Sequence, residues 1–184
     1  YGNIQQAPWE WATSAGFQAF ARRLLDENDD LLGFQMAFDV TGDPAFPERA
    51  AYEVARELGV PVTTHAGVWG ATSDDSIRLA HEAGFLDQTS VFVHASTLSA
   101  DSYHRIAATG GSVSLATESE QSAGQGYPTS WALRAHGIRA DFTPTEFVAE
   151  AVVAQFPEPV AGKRILLARA VEGRDVLPET WRAN

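Results

Sequence analysis

The sequence predicts an α/β fold of about six βα units, with a mainly parallel sheet flanked by helices. Apolar runs of strand length alternate with helical patterns along all 184 residues. The strand candidates are apolar on both faces, as in sheets covered by helices. A closed eightfold barrel usually takes ~250 residues, which this chain does not reach. The sheet is therefore either an open, doubly wound, flavodoxin-like one or a partial (βα)8 barrel.

The elements follow in order. Residues 14–28, "SAGFQAFARRLLDEN", set Phe17, Phe20, Ala21, Leu24 and Leu25 on one face at helical spacing. Residues 31–40, "LLGFQMAFDV", read as a buried strand. The turn-rich "TGDPAFP" leads to a helix over 47–59, with Pro47 at its first position and Gly59 as its stop. Residues 60–65, "VPVTTH", form the next strand, and Ser73 caps a helix over "DDSIRLAHEAG". Strands at 90–94 ("SVFVH") and 111–117 ("GSVSLAT") enclose a helix at 99–110 that ends on glycine. A helix at 128–137, a short strand "IRADF" at 138–142, a helix at 143–156, a strand at 162–170 and a last helix from "GRDVLPETWRAN" complete the chain.

Composition narrows the function. A formal net charge of −11 argues against a nucleic-acid partner, because phosphate contacts need clustered Lys and Arg. With no cysteine, disulfides, zinc–thiolate sites and thiol nucleophiles drop out. No apolar stretch approaches the ~18 residues of a membrane span. The start, "YGNIQQAPWEWATS", lacks the basic and apolar regions of a signal peptide. These features set the expectation of a cytoplasmic protein with no membrane partner.

In parallel sheets, chemistry gathers at the C-terminal strand ends. His65 ends "VTTH" and His94 ends "VFVH", and two imidazoles on successive strands can face one cation such as zinc or iron. His81, His104 and His136 fall on helices and read as surface or interfacial residues.

Residues 1–138, most specifically about 30–137, resemble the second half of the barrel in metal-dependent amidohydrolases of the chlorohydrolase and nucleobase-deaminase type. The resemblance is carried by "ELGVPVTTHAG", "VFVHASTLSADSYHRIAATGGSVSLATESE" and "GQGYPTSWALRAHGI". It implies that His65 and His94 descend from metal ligands of an ion that activates water. Glu118, Glu120 and Gln125 lie beyond the following strand, as candidates for a pocket at the same mouth. The plainer account of the two glutamates is a pair of solvated loop acids. Several of the family's features are absent. No His-x-His occurs, Val68 stands where relatives carry a catalytic glutamate, and Asp141 lies too early for the strand-end aspartate. Two histidines alone imply at most a weakly bound divalent metal.

Residues 139–184 resemble a segment of uroporphyrinogen-III synthase, through "P-x-EFVAEAVV", "GKRILLARA" and "RDVLPE". Arg164 and Arg169 in that stretch read as strand-end surface charges. Two unrelated families meeting near Ile138 suggest a chimeric or engineered α/β scaffold, treated as one domain, with no complete catalytic site and no native activity. The alternative is a metal-dependent amidohydrolase acting on an amidine or amide C–N bond. A half barrel also exposes a sheet edge, which a homodimer would cover.

Overall fold

A computed structural model describes residues 8–27, 33–68, 74–127, 129–146, 148–163 and 175–182. The chain divides into two compact units, Tyr1–Ile138 and Arg139–Asn184. The division falls where the sequence reading expects the change from one resemblance to the other.

The first unit is built on four parallel strands in sequential order, β1 (Met36–Ala37), β2 (Val62–Ala66), β3 (Ser90–His94) and β4 (Ser112–Ser114). The order never reverses, so among the described residues the sheet is an arc of a (βα) barrel rather than a doubly wound sheet. Helices α3 (Arg49–Leu58), α4 (Asp74–Glu82) and α5 (Ala100–Thr109) carry the three crossovers. Right-handed crossovers that all step the same way leave their helices on one face of the sheet. Two helices precede the sheet, α1 (Pro8–Ala12) and α2 (Ala15–Asp26), and two short ones follow it, α6 (Thr117–Ser122) and α7 (Ser130–Ala135).

Local chemistry accounts for the boundaries. Ser14 caps α2 by accepting from the Phe17 amide, and Ser99 caps α5 by accepting from the Ser102 amide. Gly59 and Gly110 end α3 and α5 in the left-handed conformation that a C-terminal cap requires. In β3, Ser90, Phe92 and His94 are buried while Val91 and Val93 are half-buried. A Cβ on Gly111 would meet both Phe92 and Ile106 at 3.1 and 3.4 Å, so the Phe92 face is the one packed on α5.

Phe92, Ile106, Ile77 and Met36 are fully buried, and an aromatic cluster of Phe38, Tyr52, Phe46 and Phe85 extends this core beneath α3. The Arg56 guanidinium stacks 4.5 Å from the Phe85 ring and donates to the Gly84 carbonyl, closing the cluster.

Several expectations need correction. Phe20 does not join the apolar face of α2. It is 48% exposed, with the Arg23 guanidinium above its ring. The strand expected at 31–40 has only two paired residues, although Phe38 still donates to the Thr63 carbonyl. No strand forms at 138–142. With no neighbouring strand paired to it, "IRADF" lacks the cross-strand contacts that give β-propensity its effect. Ser73 and nearly all of the strand expected at 162–170 lie outside the described residues.

The second unit contains α8 (Ala149–Gln155) and α9 (Val176–Arg182). Phe156 packs edge-on against Phe142 and also meets Trp181, and the Gln155 amide both donates to and accepts from Thr145. None of its described residues is buried. No described helix in either unit is long and apolar enough to cross a membrane.

Burial, with the negative Glu48 beside it, pushes the Tyr52 phenol well above its ordinary value near 10. The folded state thus holds this proton more tightly than the unfolded chain does. The tyrosine's contribution is intact below pH 10 and is lost as pH rises toward the folded value. Urea unfolding of the wild type and Tyr52→Phe from pH 8 to 11 should show the wild type losing about 1.4 kcal/mol per pH unit relative to the variant above pH 10. Parallel curves would contradict this.

Candidate functional site

The site lies at the C-terminal rim of the sheet. The parallel register pairs His65 with Val93 and Ala66 with His94. Paired residues in adjacent parallel strands share a face, and successive residues alternate. In a regular sheet His65 and His94 would therefore leave opposite faces. Instead their rings stack at 5.5 Å with an interplanar angle of 9°.

The backbone explains the departure. His94 and Ala95 both take positive φ, 75° and 55°, which non-glycine residues rarely adopt. The turn begins at His94 and brings its ring round to the side of His65. It is held by the Ala95 amide donating to the Ala66 carbonyl at 2.9 Å and by the buried Tyr103 hydroxyl donating to the Ala95 carbonyl at 2.6 Å. Gly67 (φ 67°) gives the β2 side its close approach, since a Cβ there would meet Leu98 and the Thr97 amide at 3.0 and 3.1 Å.

Each imidazole has a carboxylate at Nδ1. Asp39, just beyond β1, places Oδ1 2.9 Å from His65 Nδ1 and also accepts from the His65 amide at 3.1 Å. Glu120 on α6 places Oε1 3.2 Å from His94 Nδ1 and accepts from the Ala116 amide at 2.7 Å. The two pairs differ in environment. His65 and Asp39 are partly exposed, whereas His94 is 6% exposed and Glu120 fully buried.

The structure thus separates the residues singled out from sequence. His65 and His94 come together. Glu120 joins them, and it is a buried helical residue rather than a solvated loop acid, because it reaches back to the start of α6 while meeting His94. Glu118 stays exposed on α6. Gln125 is buried behind α6, its amide donating to the Glu120 carbonyl and its side-chain oxygen accepting from Ser119. The glycine of "GYP", Gly126 (φ 115°), passes Ser96 so closely that a Cβ would lie 2.9 Å from the serine Cβ.

Asp39 was missed, although an acidic residue closing an apolar strand marks the same rim as His65 and His94 do. A second buried carboxylate near that rim, Glu48, accepts from both the amide and hydroxyl of Thr41 and fastens the loop after β1.

The donor set suits a cation. Metal-binding histidines characteristically give their second nitrogen to a carboxylate, as both do here. Among the described residues no group of three or more such side chains converges.

The described strands and helices form an arc of parallel βα units. The structure is similar to that of an amidohydrolase from Brucella melitensis, with a TM-score of 0.53 and 17% identity over 72% of this chain and 30% of that one. It is also similar to a triazine hydrolase variant, with a TM-score of 0.50 and 17% identity over 66% of this chain and 30% of that one. These likenesses concern the fold. The family model for uroporphyrinogen-III synthase HemD matches residues 78–184, and the chain belongs to that family. Its match reaches well back across the 138–139 boundary, over α4, β3, α5 and β4. Uroporphyrinogen-III synthase of Synechococcus elongatus is 48% identical over 48 residues, which are 26% of this chain and 18% of that protein.

Substituting Glu120→Ala should leave two donors, the buried His94 Nδ1 and the part-buried Ala116 amide, without their acceptor. Each loss costs about 1–3 kcal/mol, so denaturant unfolding should show a large destabilisation. Asp39→Ala at the exposed pair should change stability much less. Equal effects of the two substitutions would contradict the difference in burial.

Proposed function

We propose that the chain is a composite α/β scaffold that joins an amidohydrolase-type βα core to a uroporphyrinogen-III-synthase segment near residue 138. In this reading the core keeps a weak divalent-metal site and carries no complete catalytic set. The observation that carries the site is the pair of imidazoles, His65 and His94, each with a carboxylate at Nδ1. The division into units at Ile138 supports the composite construction.

His65 and His94 would hold the ion, with Asp39 and Glu120 fixing the tautomers and orientations of the rings. A divalent ion so held supplies Lewis acidity and a more acidic bound water. Four-ligand structural zinc sites gain about 10–16 kcal/mol. Two protein ligands leave this site well short of that. The chain spans 18% of the curated synthase and 30% of the solved amidohydrolases, so neither whole enzyme's reaction is part of this reading.

A second reading is hydrolysis of an amidine or amide C–N bond. The buried His94–Glu120 pair favours it, because a carboxylate-held imidazole is suited to proton transfer. Zinc titration of the chelator-treated chain, run beside a deamination assay on common nucleobases, separates the two. The scaffold reading predicts a Kd weaker than about 1 µM, or about −8 kcal/mol. It also predicts that this binding weakens in His65→Ala and His94→Ala, and that there is no turnover. Submicromolar binding abolished by His65→Ala, together with turnover, would establish the hydrolase instead.

A further inference from the structure

Away from the strand ends, two more histidines face each other on the first unit. His104 lies on the exposed side of α5, and His136 is the C-terminal cap of α7. His136 Nδ1 is 3.2 Å from His104 Nε2, with ring centroids 4.6 Å apart and ring planes at 83°. The two rings are not equally free. His136 is tied through its amide to the Ala132 and Leu133 carbonyls, and its ring lies flat on Tyr103 at 5.3 Å and 19°. His104 is exposed and adjustable.

We infer that His104 and His136 form a two-imidazole chelate for a divalent transition ion of borderline softness, such as zinc, nickel or copper, clipping α7 to α5. Three features carry it. Zinc–nitrogen bonds of 2.0–2.1 Å at a tetrahedral angle set two ligand nitrogens about 3.3 Å apart, close to the spacing already present. The ring planes cross at 83° and His104 is exposed, so its ring can turn to direct Nε2 and His136 Nδ1 at one ion.

The third feature is the proton between the rings. Only one of two facing imidazole nitrogens can carry a hydrogen in this contact, and the ion takes its place as the hydrogen passes through water to the other nitrogen of the same ring. A hydrogen bond exposed to water contributes little net stability, so displacing it costs little. Imidazole nitrogens suit these ions, water completes the coordination at the surface, and the chain's net charge of −11 favours cation approach.

The test uses the full-length chain carrying His65→Ala and His94→Ala, with zinc alone as the probe in calorimetric titration. The strand-end site is removed, so the result stands whatever that site does. One equivalent of zinc should still bind, and adding His104→Ala or His136→Ala should weaken it at least about tenfold. No binding in this background, or binding indifferent to both further substitutions, overturns the proposal. Should the background variant fail to fold, copper titration of the wild type followed by NMR serves. The ring signals of His104 and His136 should broaden together, ahead of His81. Broadening of His81 at the same copper level overturns it.

Discussion

The register between β2 and β3 is the constraint on which the rest of the site depends. Pairing runs unbroken from Val62 with Ser90 to Ala66 with His94, and it brings two histidines to one rim at the spacing of neighbouring strands. Alternation alone would point them to opposite faces. The left-handed backbone at His94 and Ala95 reverses that outcome, at a cost on the order of 1–3 kcal/mol for each residue. Hydrogen bonds from the Ala95 amide and the Tyr103 hydroxyl hold the turn in place. Strain maintained in this way at a strand end supports the proposed site.

Asp39 and Glu120 then turn two nearby rings into two oriented ones. Both carboxylates also accept from backbone amides, His65 N–H and Ala116 N–H respectively, so each is positioned independently of the imidazole it meets. The pairs are not equivalent. Glu120 is sealed from solvent and depends on its partners, whereas Asp39 shares its charge with water. One rim thus holds a rigid imidazole and a more accommodating one.

Much of this was legible in the sequence where period and punctuation agree. Gly59 and Gly110 mark helix ends that the structure realises, because a cap is a local interaction needing only its own neighbours. "VTTH" and "VFVH" announced two strand ends for the same reason. The failures are non-local. Whether "IRADF" pairs depends on a neighbouring strand, which no local pattern encodes. Phe20 fits the apolar face of α2 by spacing but lies where nothing covers it. Glu120 looked like a loop acid because its burial is set by His94, twenty-six residues earlier. The doubled positive φ at His94 and Ala95 has no sequence signal at all, since neither residue is a glycine. Comparison added what periodicity could not, a fold likeness to solved amidohydrolases and a uroporphyrinogen-III synthase family match from residue 78 onward.

The central claim is that carboxylates fix the tautomers of His65 and His94. An ionised carboxylate only accepts, so the hydrogen must reside on Nδ1 of each ring, which presents Nε2 as the basic nitrogen. Long-range proton–nitrogen NMR of the metal-free chain near neutral pH reads this directly, with His81 as an internal reference. The account predicts a protonated Nδ1 and an unprotonated Nε2 for both His65 and His94. Finding the hydrogen on Nε2 in both rings would contradict it.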